Sequence, residues 1–243
     1  MGANLLLGAT AAAVLARAAK NGDLADPRRS PLQLGLAAAG LGVGALTIAT
    51  SGGVKGVTKT LSQEGTVVAG AAAALGAAVP LAALLSKPKS RSALVDRVRE
   101  TAGKLVSGIA NPNGRGLRSI AYGVAAPLLL AAGAFAALAP AETLTKALGS
   151  IVTRPSNVFL TRSAGAVLAG VGPAVALSLQ AAAEEQTLER TGNQALNAGL
   201  VGAAVAHLAA FGPLAWTGST GADAVVGLWA ATLATAASGI VSK

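Results

Sequence analysis

Apolar residues in this chain come in long, nearly unbroken runs separated by short charged stretches. A helix that crosses a bilayer needs ~20 predominantly apolar residues. Six runs reach or approach that length: Leu32–Thr50, Thr66–Ser86, Ile120–Ala141, Ala164–Ala183, Asn197–Trp216 and Ala222–Val241. Asp223 is the one Asp, Glu, Lys or Arg inside them, and Asn197–Trp216 holds the lone His207. A shorter run, Asn4–Leu15, stops before Arg17 and reads as an interfacial or half-spanning helix. The expected fold is all-α, a polytopic transmembrane bundle of about six spans and seven at most. Residues 1–30 hold the short apolar helix and a basic loop, and 31–86 a first transmembrane hairpin. Residues 87–118 are a basic loop, and 119–243 supply four further membrane helices.

The third loop has a pattern of its own. From Ser92 to Ala110, apolar residues fall at Leu94, Val95, Val98, Ala102, Leu105, Val106 and Ile109, in steps of mostly three and four. That is the helical period. Arg97, Arg99 and Lys104 occupy the other positions with Asp96 and Glu100, and Asn111-Pro-Asn-Gly114 stops the helix. An amphipathic helix of this kind lies on anionic headgroups, docks on a partner, or covers the ends of its own bundle. A shorter helix is expected over Ala141–Ile151. The helix after Ala183 is expected to run on past Glu184 and Glu185 to a cap at Gly192.

Composition supports the membrane reading. Charged residues make up 12% of the chain, about half the usual share of a soluble domain. Six apolar helices would have too few polar residues left to form a water-facing shell. The 31 glycines, with abundant alanine, make smooth helices whose backbones can approach closely. There is no cysteine, and one histidine and one methionine leave little for metal or haem ligation. The net charge of +9 in so apolar a chain points to anionic lipid headgroups; no nucleic acid is required. Alternate loops carry fourteen lysines and arginines against five, with 17–30 and 87–118 on the rich side, so that side is expected to be cytoplasmic or its organellar equivalent.

Few residues suggest chemistry. Gly40 and Gly44 share a helix face one turn apart, a close-packing pattern, and Gly199 and Ala203 do the same. The alternating glycines of 40–44 resemble the inner helix of the proton-carrying ring of rotary ATPases. That resemblance implies a mid-membrane carboxylate, which neither this span nor the next contains. Pro80, Pro127, Pro173 and Pro213 each fall inside a span, where proline kinks a helix. Broken helices can surround a transport site, but the spans lack the buried charges that ion-coupled transport uses. Gly199-x-x-x-Ala203-x-x-x-His207, followed by Trp216, resembles the chlorophyll-binding helices of bacterial antenna polypeptides, which are short single-span chains. The resemblance implies His207 as a pigment ligand, and the same imidazole could hold a haem. The alternative is a ring hydrogen-bonded to a neighbouring helix. The basic loop 51–59 lacks the Gly-Lys-Ser/Thr ending of a phosphate cradle.

No catalytic set emerges, so the expectation is no enzyme and no obligatory cofactor, with pigment or lipid as the open choices. A structural or assembly subunit of a membrane complex, packed against other subunits or itself, accounts best for smooth helices and a docking helix. A passive pore or carrier on the kinked helices is one rival. A virion membrane or genome-ejection protein is the other.

The amphipathic pattern has a direct test with the 92–110 peptide. Each basic residue near an anionic surface contributes ~1 kcal/mol, screened by salt. Glutamine at Arg97, Arg99 and Lys104 should weaken binding to anionic vesicles strongly at low salt and less at high salt. Serine at Leu94, Val98 and Leu105 should weaken it at both. Equal binding of the parent peptide to neutral and anionic vesicles would eliminate the lipid role.

Overall fold

A computed structural model describes residues 2–50, 63–85, 95–96, 98–103, 116–149, 154–216 and 220–241. The described residues are almost entirely helical. In chain order the principal helices are α1 (Gly2–Lys20), α2 (Ser30–Ile48), α3 (Gln63–Leu85), α4 (Leu117–Leu138), α5 (Ala141–Leu148), α6 (Pro155–Glu184), α7 (Thr191–Trp216) and α8 (Thr220–Ile240). Five of them, α2, α4, α6, α7 and α8, are long and apolar enough to cross a membrane. Within α3 the apolar stretch Val67–Ala82 is shorter.

The centre of the bundle is α6. Of its apolar window 72% is buried, against 22–39% in the other four. Its 30 residues make a rod of ~45 Å. Neighbours pack on it through missing side chains. A Cβ on Gly35 of α2 would meet Gly170 O at 2.6 Å, and one on Gly170 would meet Ala39 N at 2.8 Å. On another side of α6, a Cβ on Gly133 of α4 would strike the Ala169 backbone, and one on Gly165 would lie 2.5 Å from Ala137 N. These pairings run α2 and α4 antiparallel to α6. The outer helix α3 sits antiparallel on α2, where a Cβ on Gly40 would meet Ala77 N at 2.5 Å and one on Gly44 would reach Ala73 Cβ at 3.6 Å. Both glycines of that predicted packing face therefore lie at a helix contact.

The N-terminal helix extends further than its apolar run. It lies lengthwise, parallel to α6 and antiparallel to α7. Asn4 Nδ2 donates to Ala164 O at 3.0 Å, and a Cβ on Gly199 would meet Thr10 at about 3.0 Å. The buried positions of α1, among them Ala3, Leu7, Ala11, Val14 and Ala18, form one stripe with coiled-coil spacing. The stripe carries the helix through Arg17 to Lys20, because the charges sit off it. Two 3-10 turns, Asp23–Ala25 and Pro27–Arg29, then reverse the chain into α2. Gln33 Nε2 ties that reversal down by donating to Leu24 O at 2.9 Å.

The turn after α6 corrects the expected cap. The helix stops at Glu184, and Gly192 lies in the first turn of α7. Gln186 takes the left-handed conformation, with φ 55°. Thr187 N donates to Ala182 O at 2.8 Å and Gln186 N to Ala183 O at 3.3 Å. That pair of bonds closes a helix in the Schellman manner, ordinarily around glycine. The short helix α5 also ends early, at Leu148, with Gly149 at φ 68°. All four internal prolines lie within continuous helices.

Part of the 92–110 pattern is visible. Residues 95–96 and 98–103 are helical, Arg99 is exposed, and Val95 and Val98 are 62% and 50% exposed. Leu94, Arg97, Lys104 and Leu105 lie outside the described residues, as does the basic loop 51–59.

Two kinds of glycine should respond differently to alanine. Gly40→Ala and Gly133→Ala push a methyl into backbone and should lower stability in detergent by about 1–3 kcal/mol, as overpacking does. At Gly70 and Gly227 a methyl would enter open space, with nothing within 4 Å. Alanine there should be neutral or slightly stabilising. Thermal or SDS unfolding of the purified variants gives the comparison, and equal effects at all four sites would refute this packing.

Candidate functional site

Polar side chains gather near one end of the bundle, where α4 and α7 begin and α6 and α8 end. Tyr122 of α4 and Asn197 of α7 are fully buried. The Tyr122 hydroxyl donates to Asn197 Oδ1 at 2.6 Å and lies 3.4 Å from Thr235 O of α8. A Cβ on Gly239 would collide with the Tyr122 hydroxyl and with Asn197, so glycine is what lets α8 close over the pair. Gln194 Nε2 bridges Leu188 O at 3.0 Å and Gly239 O at 3.2 Å. Asn197 Nδ2 is buried with no partner.

A second group caps the same end. The Ser119 hydroxyl donates to Glu184 Oε1 at 2.8 Å, and Gln180 Nε2 approaches the same oxygen at 3.4 Å. Glu185 pairs with Arg28 at 3.2 Å. The two carboxylates therefore hold α4 and the α1–α2 reversal to the end of α6. Both ion-pair partners are partly exposed, so the pair itself stabilises little. Its value is positional. Several hydroxyls within the helices, such as Thr47, Ser178 and Thr232, donate to a carbonyl four residues back, which satisfies them without water.

His207 lies in α7, away from this cluster and toward the other end. Its Nδ1 is 2.8 Å from Ala203 O. A carbonyl only accepts, so this contact is a hydrogen bond when Nδ1 carries a proton. Trp229 of α8 stacks on the ring at 4.0 Å and 10°, with Phe211 stacked at 6.3 Å. The neighbouring-helix contact is thus a stack, and the hydrogen bond stays within α7. Thr10 of α1 packs at Gly199, and Ala203 is fully buried. One turn and two turns before His207, the small residues are therefore not open to solvent: Gly199 faces Thr10, and Ala203 is inside the bundle. Among the described residues, no group of three His, Cys, Asp or Glu could hold a metal ion.

At the opposite end Arg162 lies two turns inside α6. Its Nη2 donates to Ala139 O at 3.2 Å, while its Nε, Ser163 Oγ and Asn4 Oδ1 are buried without partners. The sequence pattern leaves Arg162 just outside the expected span that starts at Ala164. It also passed over Tyr122, Gln194 and Asn197. The available signal was a set of amides at the ends of otherwise apolar runs, where polar side chains serve as interhelical links.

No protein-family model, curated protein or solved structure matches the chain.

The Tyr122–Asn197 bond should be measurable by a double-mutant cycle with Tyr122→Phe and Asn197→Leu. Interhelical bonds in membrane proteins average ~0.6 kcal/mol and reach ~1.7 kcal/mol. Full burial of both partners places this one at the upper end. Additive losses in unfolding free energy would show that the pair does not couple α4 to α7.

Proposed function

We propose that the chain is a non-catalytic integral membrane protein that serves as a structural or assembly subunit of a larger membrane complex. The spans in this reading are α2, α3, α4, α6, α7 and α8, with α1 seated beside them as a seventh helix. The observation that carries it is the arrangement around α6. A buried central helix is gripped through backbone contacts at Gly35, Gly133, Gly165 and Gly170, while outer helices present bare apolar faces. On α3 alone, Val67, Val68, Leu75 and Val79 are each 64–69% exposed. Such a face suits lipid or another subunit, and a monomer in water would seldom tolerate it. The described axis of the bundle is filled by α6, which favours a scaffold over the pore or carrier reading. The arginine-rich end, with Arg17, Arg28, Arg29, Arg118 and Arg190, is assigned to the cytoplasmic-equivalent side by the positive-inside rule.

Two experiments test the two halves of this reading. Cysteines at the exposed positions Asn21 and Arg118 should label from one side of sealed membranes, and one at Glu142 from the other. Labelling of all three from one side would refute the topology. Mild-detergent purification should bring stoichiometric partners with the chain. Isolation as a lone oligomer would support a pore instead, and enrichment in purified particles a virion protein.

A further inference from the structure

Between α1 and α7, at the arginine-rich end, lies a cleft of about 550 Å³. Its shape follows from helix contacts already described. The two helices touch at Thr10 and Gly199 and at Leu6 and Gly202. Toward Arg17 they part, and at Gly192 the nearest atoms to a Cβ are Arg29 Nη1 at 3.6 Å and Val14 Cγ1 at 3.8 Å. Along the helix axes its inner stretch, an open apolar floor, is lined by Ala9, Ala13, Val14 and Ala195, and its outer end, the mouth, by Arg17, Arg29 and Asp23.

The two arginines differ from the paired Arg28. Arg29 Nε is buried without a partner, although burial of a guanidinium donor is costly unless something accepts from it. Asp23, exposed at the mouth, is the one acid of the lining, so the lining keeps an excess of positive charge. The first turn of α7, at Thr191 and Gly192, opens into the same space and adds the partial positive charge of a helix N-terminus.

We propose that this cleft is a binding site for one anionic phospholipid. Its phosphodiester would sit between Arg17 and Arg29, with an acyl chain along the alanine floor. Guanidinium groups match phosphate oxygens in a two-pronged geometry. An apolar groove directly below a cationic mouth matches the order of chain and headgroup in a lipid at the membrane surface, whereas a free anion would leave the floor unused. The proposal rests on the membrane reading for the depth of the cleft but not on the subunit role.

The test uses the full chain purified in neutral detergent and titrated with phosphatidylglycerol or phosphatidylcholine of matched chains, with bound lipid counted by native mass spectrometry. Phosphatidylglycerol should bind about tenfold or more tightly, in line with two basic contacts. The Arg17→Gln/Arg29→Gln double variant should lose that preference. Ala13→Phe, which fills the floor and spares both arginines, should weaken phosphatidylglycerol binding as well. Arg154→Gln, at the other end, should leave it unchanged. If the double variant fails to fold, Arg17→Gln alone, at an exposed position, must still reduce the preference. Equal binding of the two lipids, or an unchanged preference in the arginine variants, overturns the site. Displacement of the lipid by equimolar inorganic phosphate overturns it in favour of a free-anion site. One-sided cysteine labelling with the preference intact refutes the topology and leaves the cleft standing. Correct labelling without the preference refutes the cleft alone.

Discussion

Close backbone approach around α6 is the constraint on which the other contacts depend. Between helices bathed in lipid there is little hydrophobic driving force, and association rests on van der Waals packing and interhelical hydrogen bonds. Dispersion between atom pairs is weak, so many pairs must come within contact distance. Gly35, Gly133, Gly165 and Gly170 allow that, because a methyl at any of them would meet backbone. The polar contacts come second. Tyr122 reaches Asn197 at 2.6 Å, and Gly239 permits α8 to lie over both.

The two ends of the bundle are held in different ways. At the arginine-rich end, side chains tie helices together: Glu184 to Ser119, Glu185 to Arg28, Gln194 to Gly239 O. Each link joins segments distant in sequence. At the other end, Arg162 and Asn4 each donate to a single backbone carbonyl and keep unpartnered atoms. There the contacts are chiefly apolar, with Leu144 of α5 packed among Ala139, Leu148 and Val158.

Much of the helical skeleton was legible because its signal is long and simple. The apolar runs locate α2, α3, α4 and α8 to within about three residues at each end, since length and lack of charge are the whole criterion. The termini of α6 and α7 were harder. Pro155 begins α6 well before its apolar run, and Arg162, two residues ahead of that run, already lies within the helix. Gln186 turned the chain where a glycine was expected, because a polar residue can take the left-handed position when two backbone bonds hold it there. The packing glycines were illegible for another reason. With 31 in the chain, spacing alone singles out Gly40 and Gly44 as readily as Gly35 and Gly170, and only the fold shows which meet backbone. The polar cluster joins residues up to 113 apart, a pairing that no local pattern encodes.

The placement of α1 sets a timetable for assembly. It is made well before its principal partners, α6 and α7. Asn4 waits for Ala164, 160 residues later, and Thr10 waits for Gly199. At ordinary translation speeds of ~5–20 residues per second, that delay is about ten to forty seconds. Throughout it the buried stripe from Ala3 to Ala18 has nothing of its own chain to lie against but the hairpin that follows. The nascent protein must keep this helix at the membrane, sheltered by lipid or by the insertion machinery, until α6 and α7 emerge. Helix α1 is thus made early and seated late.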